Sequence, residues 1–218
     1  MDEDTFCVKE KRRKMKAVLY IHGKDGSAEE AGHYGPLFPG QKLIGFDYRS
    51  QTPWEAKKEF TVFTGSLCEE YGSITLIANS VGAFFAMSAA LDAWIRKAYF
   101  ISPIVDMEKL IMEMMLWAHV TEEELKEKSV IRTGFGEDLS WEYLSYVREH
   151  PIGWNAPTEI LYGGRDALTA METITSFAHR HDARLTVYDE GEHWFHTDEQ
   201  MRFLDEWISR SVSSDGQI

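Results

Sequence analysis

An α/β fold built on a mostly parallel sheet is predicted by three features of this 218-residue sequence. Six short runs are apolar on both faces, each stops at a polar or glycine-bearing turn, and helix-start signals fall between them. Ala17–Ile21 ends at His22–Gly23, Leu43–Phe46 at Asp47, and Ile74–Ala78 at Asn79–Ser80. Ala98–Ile101 ends at Ser102–Pro103, Ile160–Tyr162 at Gly163–Gly164, and Leu185–Tyr188 at Asp189. Thr52–Pro53–Trp54–Glu55 joins an N-cap hydroxyl, a proline at the first helical position and a reciprocal glutamate. Similar boxes start at Ser27 with Glu30, Thr121 with Glu124, Thr169 with Glu172, and Thr197 with Gln200. The expected sheet has about six strands, with helices on both faces joined by right-handed crossovers.

One interval breaks the alternation. From Ile104 to about Trp154 no strand-like run occurs, while Leu110, Ile111, Met114, Met115, Leu116 and Trp117 recur at helical spacing. An acidic helix is expected from Thr121, then a turn at Thr133–Gly134–Phe135–Gly136, then a helix from Trp141 to Glu149. The chain therefore reads as a single domain over residues 1–218. Its core covers about 16–103 and 154–212, and an all-helical cap of about 104–153 sits above the C-terminal strand ends, where open α/β sheets keep their sites.

Composition narrows the partners. The chain is 44% hydrophobic and 27% charged, which excludes disordered and low-complexity classes. With 23 Lys and Arg against 36 Asp and Glu, the formal charge is −13, a surface that repels nucleic-acid phosphates and anionic lipid. The basic stretch Lys9–Lys16 precedes the first apolar run and reads as a solvated lead-in. Cys7 and Cys68 form no disulfide framework, and no segment has the length of a signal peptide or membrane span. The expectation is a cytoplasmic protein with no nucleic-acid or membrane partner.

The strongest local signal is Ala78–Asn79–Ser80–Val81–Gly82, where a buried strand runs directly into an apolar helix. Small residues two before and two after Ser80 suit a sharp strand-to-helix turn that exposes Oγ above a helix N-terminus. A serine nucleophile needs a base, and the base needs an acid to fix its tautomer. Asp166, in Tyr162–Gly163–Gly164–Arg165–Asp166, and His193, in Glu190–Gly191–Glu192–His193–Trp194, each follow a strand in a glycine-bearing loop. All three side chains would meet on one rim of the sheet. Asp189, Glu190 and Asp47 compete with Asp166 for the acid.

These motifs, with Tyr20–Ile21–His22–Gly23–Lys24 closing the first strand, resemble the α/β-hydrolase family of esterases, lipases and small peptidases. The resemblance covers about residues 16–103 and 154–212. It departs in Ala78, which replaces the usual glycine, and in the short stretch before the first parallel strand. It implies a three-layer α/β-hydrolase-like fold, a Ser80–His193–Asp166 triad, and an oxyanion hole from the backbone N–H groups of Lys24 and Val81, with Asp25 a substitute for Lys24. It also implies no metal and no organic cofactor. The expected reaction is hydrolysis of a small-molecule ester of an apolar or aromatic acid. Thioesterase, lysophospholipase, peptidase and non-catalytic binding readings use the same fold. Met114, Trp117, Trp141, Tyr146 and Trp194 are the candidate pocket residues. Of the other histidines, His22 is expected to shape the first loop, and Glu192, His193 and His196 match no strong metal signature.

Overall fold

All six apolar runs become strands in the computed structural model, which describes residues 15–215. Cys7 and the basic stretch from Lys9 to Lys14 lie outside the described residues. The strands are β1 (Lys16–Ile21), β2 (Lys42–Phe46), β3 (Ser73–Asn79), β4 (Ile95–Ile101), β7 (Thr158–Gly163) and β8 (Arg184–Tyr188), with β5 and β6 in the intervening segment. They form one parallel sheet in the order β2-β1-β3-β4-β7-β8. The edge strands β2 and β8 are only partly buried, whereas the four strands between them, covered on both faces, are largely buried.

Strand alternation divides the core in two. Ala17, Leu19, Ile21, Leu76, Phe100 and Ile160 point to one face. There they meet α1 (Pro53–Glu70), α2 (Ser80–Ser88), α3 (Met107–Trp117) and α6 (Met171–Arg180) through residues such as Phe60, Phe85, Ile111 and Phe177. Val18, Tyr20, Ile77, Tyr99 and Leu161 point to the other. That face is closed by a 3-10 segment (Ala28–Leu37) and by α7 (Asp198–Asp215) through Tyr34, Leu204, Trp207 and Ile208.

The helix signals hold at Thr52, Thr121 and Thr197, where side-chain and backbone bonds run in both directions. Ser27 N–H donates to Glu30 at 3.0 Å. The expected box at Thr169 does not form: α6 starts at Met171 with Ala170 as its cap, and Thr169 N–H donates instead to the Asp166 carboxylate. A carboxylate in a tight turn captures the very donors that a cap would use.

Residues 102–157 form the connection between the neighbouring strands β4 and β7. They carry α3, α4 (Glu122–Lys128), β5 (Val130–Arg132), β6 (Asp138–Ser140) and α5 (Trp141–Glu149). The expectation of an all-helical cap is therefore corrected: β5 and β6 pair antiparallel as a short hairpin, and the predicted turn at 133–136 is its tip. Leu125, Leu139 and Leu144 belong to the same buried cluster as the sheet face, so the cap has no separate core. Arg148 on α5 clamps it, donating to Glu108 of α3 at 2.7 Å and to both carboxylate oxygens of Glu122 on α4 at 2.6 and 2.9 Å. Among the described residues no helix is long and apolar enough to cross a membrane.

Candidate active site

The turn after β3 places Ser80 in the left-handed region, with φ at +48°. A non-glycine residue there is strained, and the strain aims Oγ away from the helix that starts beneath it. Gly82 makes the turn possible, since a Cβ on it would run into the carbonyl oxygen of His22. Ala78, by contrast, is fully buried between Ile21 and Phe100 and its methyl is accommodated.

Past β7 the chain folds tightly. Gly164 N–H donates to Tyr188 O and Arg165 N–H to Gly191 O, both at 2.8 Å. Gly163 is required here, because a Cβ would lie 2.6 Å from the Gly191 oxygen. These bonds tie the Asp166 loop to the His193 loop. Asp166 has a side chain with no solvent exposure, and its Oδ1 accepts N–H bonds from Leu168 at 2.7 Å and Thr169 at 3.0 Å. Its Oδ2 lies 2.7 Å from His193 Nδ1, and His193 Nε2 lies 2.8 Å from Ser80 Oγ. A carboxylate fixing Nδ1–H leaves Nε2 with a lone pair aimed at the serine hydroxyl, the arrangement needed to remove its proton. Of the competing acids, Glu190 is paired with Arg165.

The loop after β1 passes against this turn. A Cβ on Gly23 would sit 3.3 Å from the Ser80 Cβ, and Gly26 N–H closes a turn on Gly23 O at 3.3 Å. Lys24 and Asp25 follow on the cavity wall with Ser80 and Val81. Val81 stands in the first turn of α2, where backbone N–H groups have no intrahelical acceptor. His22 shapes this loop: its ring stacks on Tyr48 at 4.3 Å, and its Nδ1 lies 2.7 Å from Gly23 O. Tyr48 in turn donates to His22 O at 3.0 Å, and burial pushes its phenol pKa upward.

Ser80 opens onto a cavity of about 590 Å3 under the cap. Phe85, Ile104, Met107, Ile111, Leu139 and Leu168 supply apolar wall. Of the candidate pocket residues, Met114 and Trp117 line it, with Trp117 meeting Phe135 edge-on at 6.1 Å at the rim. Trp141 and Tyr146 do not. Trp141 lies under the Lys126 ammonium, and Tyr146 packs on Trp54 and His150. Their place is taken by Tyr143, one residue from the inward-facing Leu144. Trp194 is 73% exposed and lines a second cavity on the His193 side. Lys24 also carries a charge pair across the cavity mouth, to Glu137 at the hairpin tip.

No protein-family model matches the chain, and no curated protein matches it in sequence. Solved structures do resemble it. Est1E from Butyrivibrio proteoclasticus superposes with a TM-score of 0.72 at 14% identity, over 94% of this chain and 90% of that one. Est1E with ferulic acid bound gives 0.67 at 15% identity, over 94% and 91%. Alpha/beta hydrolase domain-containing protein 10 from mouse gives 0.73 at 16% identity, over 91% and 90%. At such identities the likeness is one of fold, and the fold of this chain is that of the α/β-hydrolases.

Proposed function

We propose that the chain is a serine hydrolase that cleaves a carboxylic ester of a small apolar or aromatic acid through an acyl-enzyme. The observation that carries this reading is the hydrogen-bonded chain from buried Asp166 through His193 to Ser80, ending at the mouth of an apolar cavity. His193 takes the Ser80 proton as Oγ attacks the carbonyl carbon. The oxyanion is held by the N–H groups of Val81 and Lys24, with positive helix-end potential beneath it. His193 then protonates the departing oxygen and activates the water that releases the acid. The acid half suits the cavity under the cap, whose walls are mostly apolar and aromatic, with Lys24, Asp25, Gln51, Glu137 and Asp138 adding polar groups. The bound ferulic acid of Est1E is an acid of this kind.

The test is covalent labelling with a fluorophosphonate, read by intact mass, on the wild-type chain and on Ser80→Ala. One adduct on the wild type and none on Ser80→Ala is expected. Equal labelling of both, or no labelling of a folded wild type, would overturn the reading.

A further inference from the structure

The loop after β1 has to present one backbone N–H in a fixed direction, and it does so from a strained conformation. Gly26 N–H donates to Gly23 O at 3.3 Å, and between them Asp25 takes a left-handed φ of +57°. A non-glycine residue there keeps its shape only when its surroundings hold it. The Gly23–Lys24 peptide carries the proposed oxyanion donor. In a planar trans peptide the C=O and N–H point in opposite directions. His22 Nδ1–H donates to Gly23 O at 2.7 Å, and Gly26 N–H shares that oxygen, so Lys24 N–H points away from both. A flip of this one peptide would put a carbonyl oxygen where the donor stands, and a carbonyl repels a developing oxyanion.

The group that holds the His22 ring and the peptide before it comes from outside the loop. The ladder between β1 and β2 reaches Ile21 and Phe46. One residue beyond, the His22 carbonyl accepts the Tyr48 hydroxyl at 3.0 Å. The Tyr48 ring also stacks on the His22 ring, with centroids 4.3 Å apart and planes 14° from parallel. Tyr48 therefore fixes both peptides of the loop, one through its hydroxyl and the other through the imidazole. Packing does not account for that hydroxyl. The ring sits among Phe46, Phe60 and Phe85, at 5.9, 5.0 and 6.0 Å, and a phenylalanine would fill the same space.

Tyr48 is itself anchored from α1. The Glu59 carboxylate accepts Arg49 N–H at 3.1 Å, Ser50 N–H at 3.0 Å and the Ser50 hydroxyl, which fastens the turn directly after Tyr48. Glu59 lines neither cavity at Ser80, so its reach to the reaction runs through this turn. We propose that Tyr48 is a positioning residue for the oxyanion hole, holding Lys24 N–H in place through the carbonyl and ring of His22, and that Glu59 fixes Tyr48. This rests on the ester-hydrolase reading of Ser80.

The experiment uses Tyr48→Phe, which removes one hydroxyl and keeps the ring that forms part of the cavity wall, and Glu59→Gln, which loosens the turn without touching the cavity. Each is assayed on p-nitrophenyl acetate, whose acyl group is too small to report on the cavity walls, and against an aryl trifluoromethyl ketone. In the ketone adduct Ser80 Oγ bonds to the carbonyl carbon, the serine proton moves to His193, and the former carbonyl oxygen carries its charge into the oxyanion hole. Fluorophosphonate titration counts the competent sites, and melting temperature checks that each variant is folded. A fall in kcat of about 10-fold is expected in Tyr48→Phe and of about 3-fold in Glu59→Gln. KM should stay within about twofold, because acylation and deacylation use the same hole and slow together. The Ki of the ketone should rise by the factor by which kcat/KM falls. Wild-type kcat in folded Tyr48→Phe, or slower turnover with an unchanged Ki, overturns the positioning role. Unchanged kcat and Ki in Glu59→Gln overturn its share, and they decide against the relay if Tyr48→Phe does not fold. Turnover indifferent to both variants leaves the hydrolase reading standing, whereas absence of turnover and of any adduct in the wild type removes both.

Discussion

At the rim of the sheet, the proposed reactive groups are placed by backbone; in the segment that arches over it, the cavity is shaped by side chains. Ser80 owes its position to a strained φ and a glycine, and Asp166 and His193 to main-chain bonds between two loops. Met107, Met114 and Trp117 owe theirs to packing within a short stack of helices held by Arg148 and by the Lys24–Glu137 pair. Backbone placement tolerates little error, as the proposed bond-making chemistry requires, whereas methionine and aromatic walls adapt to ligands of different shape. The difference separates what would fix the proposed reaction from what would select its substrate.

The largest break in this contrast comes from the rim. Asp166→Asn would present an N–H to His193 Nδ1, forcing the tautomer that cannot take the serine proton. A fall in kcat of about 10^4-fold is expected, with the melting temperature nearly unchanged. Ester turnover close to the wild-type rate would mean that another acid serves His193.

Cap and sheet share one buried cluster. Leu144, on α5, is fully buried. Leu144→Ala should cost about 2–5 kcal/mol and still unfold in a single transition. Two separate calorimetric transitions would show the cap to be an independent unit.

Gly82→Ala tests the backbone side with one methyl. Pushing it into the His22 carbonyl displaces the Lys24 loop, and about 1–3 kcal/mol of destabilisation is expected. A drop in kcat of about 10^2-fold should accompany it. Unchanged kcat in the folded variant would remove the first loop from the reaction.

The smallest effect is on acidification, and it falls on the cap. On α4 the Glu122 carboxyl is held below the usual carboxylate range by Arg148, and that of Glu124 by the Thr121 backbone N–H. Groups with depressed folded pKa values stabilise above their unfolded pKa, and the contribution disappears as pH falls through the folded value. Glu55 supports α1 in the same way, but α1 is also packed on the sheet. Hydrogen exchange at about pH 7 and about pH 3 should show α4 amides losing protection before those of α1. Equal loss in the two helices would contradict the contrast between them.

The placement of the rim was largely legible in the sequence because Ser80, Asp166 and His193 each follow a buried apolar run within a few positions, and a strand's end is fixed by where the run stops. The cap was legible only in part. Val130–Arg132 and Asp138–Ser140 are three-residue strands, too short to display alternation. Trp141, Tyr143 and Tyr146 share one nine-residue helix, and choosing the cavity-facing ring needed the packing of Leu144 and Trp54. Leu168 and Asn79 carried a faint signal, standing two residues after Asp166 and one before Ser80, while Glu30 read only as a helix-box partner and Tyr34 carried none. Glu30 and Tyr34 share the 3-10 segment and Asn79 ends β3, so the two elements meet at the second cavity only in three dimensions.

The connection from β4 to β7 has one more consequence, for how this protein can evolve. Parallel neighbours need a crossover, and residues 102–157 are the only one these two strands have. A lineage carrying this chain can therefore exchange the residues that line the cavity one at a time and can shorten the roof, but only down to the about a dozen residues that the crossover itself requires.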